Sequence, residues 1–435
     1  MAAASLLSSA ALGDARKLLL VDLDDEAQAK PHLQPGIKTL STEHATVGNH
    51  SLKFTPLWYV SFVLDDAAMM KKLADYRTVA IDFFNPSQQL LQLYVTCKDE
   101  LAATGKAANY TTGYCFLPPG KSTLTFSLTS LARQYPHPGD YVLDHKNLKS
   151  IAFTTGSDAA NLLPPVVYYI SNIRAEDSGV ELPAVEGLKA FQLGLINSTG
   201  GVDGFTAITE RTPAYPGAAG FGWGNKPQRF FSCAGNPDDL GNSALGGSIV
   251  VDAKPGQYVV HACIDPINEW GYACMFSSRT LKLCGKEVLS EKMDAQTFVK
   301  DHYCMFEDGE DTPATDLWNE RVHKICPVRT FEATVGADGK FTIEYGGQNV
   351  VGGLCFFVFY PKEKAKEGAA WMAALDAIRK ERFDARIVRN NIAPEGPAPE
   401  ASADEKARGF VAFARSADAA LSCASVPTPE EKGTP

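Results

Sequence analysis

The 435-residue sequence predicts an all-β protein of two tandem β-sandwiches, followed by one amphipathic helix and a linker. Three observations carry this. Short apolar runs recur along most of the chain, separated by turn residues. A sustained helical pattern comes only after residue 361. Glycine (36) and proline (26) punctuate the whole length. Hydrophobic residues make up 45% and charged residues 21%, which supports packed cores and excludes wholesale disorder. Lys and Arg number 41 against 51 Asp and Glu, a net charge of −10. Such an acidic surface repels phosphate backbones and argues against a nucleic-acid partner. No apolar run reaches the ~18 residues of a transmembrane helix.

Residues 1–16 begin with a small, apolar stretch, MAAASLLSSAALG, with Ala11 and Gly13 in a small-x-small pattern. Two readings stand: the end of a signal peptide without its charged leading region, or a flexible start. A first sandwich over 17–178 is read from strands near 17–22, 51–54, 58–63, 78–84, 90–96, 110–117, 122–127, 150–154 and 166–173. In the fourth of these, Val79, Ile81 and Phe83 share one face, the period of a half-buried strand. The polar stretch 176–186 reads as a linker. A second sandwich over 185–361 is read from strands near 190–194, 246–251, 257–263, 280–284, 329–335, 341–345 and 354–360. Pro361 then opens a helix over 362–389, with Trp371, Ala374, Leu375 and Ile378 on one stripe. Residues 390–435, rich in Pro, Ala and Glu, read as a linker or tail.

The ten cysteines form no CxxC pair. Cys97 and Cys115 fall on neighbouring strands and are read either as a bridge or as buried thiols. Gly120-Lys-Ser-Thr123 lacks the earlier Gly of a phosphate loop and sits between strands, so it reads as a hairpin turn. The motifs GxSxG and HExxH are absent. His302, Cys304, His323 and Cys326 are zinc-competent donors, but their intervals fit no familiar zinc module.

Aromatic residues are the most informative. Sugar rings present C–H faces that pack on Trp and Tyr while their hydroxyls bond to polar neighbours. Trp223 stands in a Gly-rich stretch, and Trp270 and Tyr272 stand beside Asn268 and Glu269, so these five residues are the candidate glycan platform. Trp58 and Trp371 are read as core. Glu307, Asp308, Glu310 and Asp311 form an acidic loop, read as solvated, as a calcium loop, or as carboxylates for glycoside hydrolysis.

The segments GNHSLKF (48–54), AIDFFNP (80–86), LPPGKSTLT (117–125) and YISNIR (169–174) resemble galactose-binding-like β-sandwiches attached to bacterial polysaccharide-degrading enzymes. The segments GFTAI (204–208), GFGW (220–223), PGQYV (255–259), EWGY (269–272), GKEV (285–288) and FEDGED (306–311) resemble the sandwich that follows in large multi-domain planctomycete-type proteins. The resemblance implies two jelly rolls forming the non-catalytic, carbohydrate-binding front of an exported polysaccharide-degrading protein. VPTPEE (426–431) resembles the joint before a C-terminal catalytic domain. The resemblance also implies a structural calcium near the end of the first strand, on Asp22, Asp24 and Asp25. Such modules carry an Asp where Ser171 stands, so Asn172 is the candidate replacement ligand. Two further readings are a glycoside hydrolase acting through residues 307–311 and a structural spacer of a cell-surface protein.

Overall fold

The computed structural model describes residues 16–55, 60–88, 91–105, 110–128, 132–133, 143–155, 166–194, 204–231, 240–264, 276–298, 316, 318–323, 327–348 and 353–384. The first part of the chain supplies β1 (Arg16–Val21), β2 (Lys38–Ser41), β3 (Ser51–Phe54), β4 (Val60–Leu64), β5 (Thr78–Asn85) and β6 (Leu91–Asp99). It continues with β7 (Tyr110–Leu117), β8 (Gly120–Ser127), β9 (Ala132–Arg133), β10 (Leu148–Thr155) and β11 (Tyr168–Asp177). The second part supplies β12 (Lys189–Leu193), β13 (Thr206–Ile208), β14 (Phe221–Asn225), β15 (Arg229–Phe231), β16 (Ser243–Leu245) and β17 (Ser248–Asp252). It ends with β18 (Gly256–Cys263), β19 (Ser278–Leu283), β20 (Lys286–Lys292), β21 (Val328–Val335), β22 (Lys340–Gln348) and β23 (Phe356–Pro361).

In the first sandwich a sheet of order β2-β3-β11-β5-β8, with β1 also on β11, packs against β4-β10-β6-β7-β9. In the second, β13-β12-β23-β18-β21 packs against β14-β17-β22-β19-β20. The orders β3-β11-β5-β8 over β4-β10-β6-β7 and β12-β23-β18-β21 over β17-β22-β19-β20 are the same wiring, that of a jelly roll. The two halves therefore repeat a topology that their sequences do not repeat. Wiring constrains which faces are apolar and leaves residue identity free.

Period-2 patterning sets the cores. Val79, Ile81 and Phe83 of β5 are buried in the first core with Leu52, Phe54, Val95, Ile151 and Ile170. The second core is aromatic: Phe341 stacks on Phe359 with ring centroids 4.0 Å apart, and Phe191 stacks on Phe357 at 5.1 Å. Stacked pairs of this kind add about 0.5–1.5 kcal/mol each beyond burial.

The helix Ala365–Asp384 is shorter than expected at its start, because a 3-10 turn, Lys362–Lys364, intervenes after Pro361. Its Trp371, Leu375 and Phe383 pack on Phe356, Val358 and Tyr360, covering the outer face of β23. The stripe is only partly apolar. Arg379 is also buried, with its guanidinium over the rings of Trp318 and Phe356. The 176–186 stretch is laid down on this same cluster through Leu182 and Val185.

Two expectations are corrected. Gly120-Lys-Ser-Thr123 is no hairpin, since β7 and β8 lie in opposite sheets and the turn at Gly120 (φ +87°) carries the chain across the sandwich. Cys97 pairs in register with Tyr110, while Cys115 lies opposite Leu93. The two positions are thus too far apart along the ladder to bridge, and Cys97 is a buried free thiol.

Candidate functional site

The site begins with an edge strand. Among the described strands β1 pairs with β11 alone, and its register slips between Leu19 and Val21. A bulge re-aims successive side chains, so Leu18, Leu19, Leu20 and Val21 all line one cleft of about 450 Å³. The floor and far wall come from two short helical segments. In Glu26–Ala29, the Asp25 side chain caps the start by accepting from Ala27 N; the turn Lys30–His32 follows with Pro31 near its start. In Ala67–Leu73, Asp66 caps by accepting from Met69 N at 2.8 Å. Lys71 and Lys72 end that helix, where cations suit its dipole. Met70 and Leu73 anchor the helix in the core, which leaves Ala68, Met69 and Lys72 on the cleft side.

The polar groups around this apolar wall are Gln28, His32, Asp65, Asp66 and Lys72. Asp65 takes part in no hydrogen bond with the described residues. The His32 ring packs on Phe62 at 4.6 Å between centroids. Burial, and then the Lys38 charge, push its pKa below the ordinary histidine value against the opposing charge of Asp65, which favours the neutral ring. A neutral imidazole offers one donor and one acceptor. Carboxylates accept, the Lys72 ammonium donates, and the Gln28 amide does both.

The structure places the other expected residues differently. Trp223 is a correction: it lies in β14, is 1% exposed, and donates from Nε1 to Thr209 O at 3.0 Å in the second core. Its ring has no open face for a sugar. Its flanking glycines mark close packing, since a Cβ at Gly222 would overlap Pro213 O and one at Gly224 would overlap the Ser248 side chain. Asn268, Glu269, Trp270 and Tyr272 lie outside the described residues, as do the acidic residues 307–311, Trp58, His302, Cys304 and Cys326. His323 is described, and its Nε2 meets Asp376 Oδ1 at 2.9 Å.

The proposed calcium ligands do not converge. Asp24 accepts from Asn49 N and faces His50 Nδ1 at 2.6 Å, contacts that hold its carboxyl below the usual range. Asp25 is spent on its helix cap and on Gln28 Nε2. Asp22 Oδ1 accepts from Asp24 N. Asn172, at φ +47°, points its amide nitrogen at Asp82 Oδ2, 2.9 Å away. Among the described residues no group of three His, Cys, Asp or Glu could hold a metal ion. A donor set already turned toward N–H groups does not fit Ca²⁺, which wants several free oxygens.

Asp82 is the buried polar centre that the sequence did not single out. Besides Asn172 it accepts from Thr46 Oγ1 (2.7 Å), Thr123 Oγ1 (2.9 Å) and Arg174 (3.0 Å). A buried carboxylate with four donors is fully satisfied. Its role is to pin the 42–50 loop onto the outer face of the first sheet.

No protein-family profile and no curated protein matches the sequence. Among solved structures, the chain is similar to a family 11 carbohydrate-binding module from Clostridium thermocellum in complex with a β-1,3-1,4-mixed-linked tetrasaccharide. Identity there is 13%, over 32% of this chain and 80% of that one, with a TM-score of 0.24. It is also similar to an agarase, AgWH50C, at 15% identity over 39% of this chain and 25% of that one, TM-score 0.24. A third is the plant receptor-like kinase ANX2, at 10% identity over 76% of this chain and 89% of that one, TM-score 0.23. Likenesses at these scores do not establish a shared fold or activity. No described helix is long and apolar enough to cross a membrane.

Proposed function

We propose that the chain is a non-catalytic carbohydrate-binding protein whose first jelly roll takes a saccharide in the cleft between β1 and the helix Ala67–Leu73. The observation that carries this reading is the make-up of the cleft. A C–H-rich wall of Leu18, Leu19, Pro31, Ala68 and Met69 faces five polar side chains able to accept from or donate to hydroxyls. Its volume of about 450 Å³ falls among small-ligand sites of about 300–1,000 Å³. The sequence resemblance to sandwiches of polysaccharide-degrading proteins points to the same ligand class. Binding suits the geometry better than cleavage. Asp65 and Asp66 are consecutive, and Asp66 serves its helix, whereas glycoside hydrolysis needs two carboxyl groups flanking the bond.

Affinity electrophoresis through gels containing mixed-linkage β-glucan, galactan, xylan, chitosan or alginate tests the reading. At least one polymer should retard the wild type. Ala68→Trp, on an exposed helix position, should fill the cleft and abolish retardation while the melting temperature holds. Free migration of the wild type in every gel, or equal retardation of Ala68→Trp, sinks the proposal. A structural-spacer reading is favoured by one observation, the tie between the sandwiches through Glu381 described below, and it is compatible with a sugar-binding front.

A further inference from the structure

Resting on that saccharide reading, we infer that the cleft is selective by charge: it takes sugars that are neutral or carry an ammonium group and turns away uronates and sulfated sugars. Two carboxylates, Asp65 and Asp66, line it against a single ammonium, Lys72. Asp66 has Oδ1 engaged with Met69 N, which holds its carboxyl at the start of the helix. Asp65 is exposed and has no hydrogen bond within the described residues, so its oxygens are open to donors of a ligand. Hydroxyl and ammonium groups supply such donors; a carboxylate or sulfate does not, and would be left facing a like charge.

Among the described residues no second ammonium lines the cleft. The His32 ring sits between Phe62 and the cleft, and its burial favours the neutral form. The Lys38 ammonium, whose charge is felt at His32, is held on Ser61 O at 3.2 Å. Gln28 is uncharged, with its Nε2 on Asp25 Oδ2 and its Oε1 accepting from Asp22 N. The local excess has the same sign as the chain's net charge of −10, so the long-range field also slows the approach of acidic polymers.

Titration calorimetry at low salt with oligomers of matched length from mixed-linkage β-glucan, chitosan and alginate tests the inference. The β-glucan or the chitosan oligomer should bind about tenfold or more tightly than the alginate oligomer. Asp65→Lys, at an exposed loop position, should narrow that ratio or invert it without lowering the melting temperature. Asp65→Asn should weaken the neutral oligomer about three- to thirtyfold through loss of a charge-assisted acceptor. Alginate binding as tightly as β-glucan, or a ratio unmoved by Asp65→Lys, overturns the charge selectivity and leaves the saccharide reading standing. Binding of none of the three oligomers overturns the charge selectivity, and the saccharide reading falls with it only if galactan and xylan also leave the protein unretarded.

Discussion

The Arg77 guanidinium and the Glu381 carboxylate meet at 3.4 Å, joining the first sandwich to the helix that covers the second. Both side chains are mostly out of water, at 15% and 16% exposure. Glu381 also accepts from Ser178 N at 3.1 Å and Ser178 Oγ at 2.6 Å, where the chain leaves β11. Arg77 donates in addition to Val180 O. Thr125 Oγ1 of β8 reaches Asp384 O at the helix end. One carboxylate on the helix thus gathers donors from the first sandwich and from the chain leaving it.

Glu381→Ala should therefore loosen the junction. It leaves Arg77 and Ser178 N short of an acceptor, a cost of about 1–3 kcal/mol. Small-angle scattering should show a broader distribution of interatomic distances, and the melting temperature should fall by several degrees. Scattering and melting curves identical to the wild type would show that the sandwiches are held by other contacts.

Gly368 sits in the helix directly against the Tyr360 ring, and a Cβ there would overlap its atoms. Alanine is the better helix former by about 1 kcal/mol, yet overpacking of this kind costs about 1–3 kcal/mol. Gly368→Ala should lower the urea midpoint. A midpoint equal to or above that of the wild type would mean that the ring moves aside freely.

Trp223 and Trp270 should behave oppositely. Trp223→Ala empties a core site and should cost about 3–5 kcal/mol, visible as a large drop in melting temperature. Trp270→Ala, within the candidate platform of Asn268, Glu269, Trp270 and Tyr272, should leave melting nearly unchanged. If Trp270→Ala instead unfolds the protein as Trp223→Ala does, Trp270 is a core residue and that platform is abandoned.

The fourth expectation concerns acid. His261 lies under the helix-covered face, with Nε2 at 2.8 Å from Tyr360 Oη and Nδ1 at 3.0 Å from Thr330 Oγ1. Burial pushes its pKa down to about 4, against about 6.5 in an unfolded chain. Above about pH 6.5 the ring is neutral in both states and the fold bears no cost. As pH falls from about 6.5 to 4 the unfolded chain takes up the proton first, so stability declines and then levels off. His32 and His44 shift in the same direction. His261→Gln, which keeps a donor and an acceptor, should flatten part of this decline in a series of melts from pH 7 to 4. An unchanged slope would show that His261 titrates normally.

The alternation of Val79, Ile81 and Phe83 made β5 readable, and the turn residues around it made the sandwiches readable. Some strands escaped because they carry no such signal. β20, Lys286–Lys292, is exposed or half-buried at every position, and β13 spans only Thr206–Ile208. Trp223 misled because Gly222 and Gly224 look like loop residues, whereas they permit close backbone and side-chain approach in β14. The cleft was illegible for a different reason. β1 and the helix Ala67–Leu73 are far apart in sequence and meet only because β1 lies on β11 at the sheet edge. Asp66, by contrast, followed by an Ala-Ala-Met-Met-Lys-Lys run, carries the signal of a capped helix start.

The central claim is that a saccharide occupies the first-sandwich cleft, and hydrogen–deuterium exchange tests it most directly. The full chain is compared with and without the glycan that retards it most. The account expects slower exchange in residues 18–21 and 65–72, because β1 has one ladder partner and its outer edge borders the cleft. Protection confined to residues 264–276, with those two segments unchanged, would contradict it and move the sugar to the second sandwich.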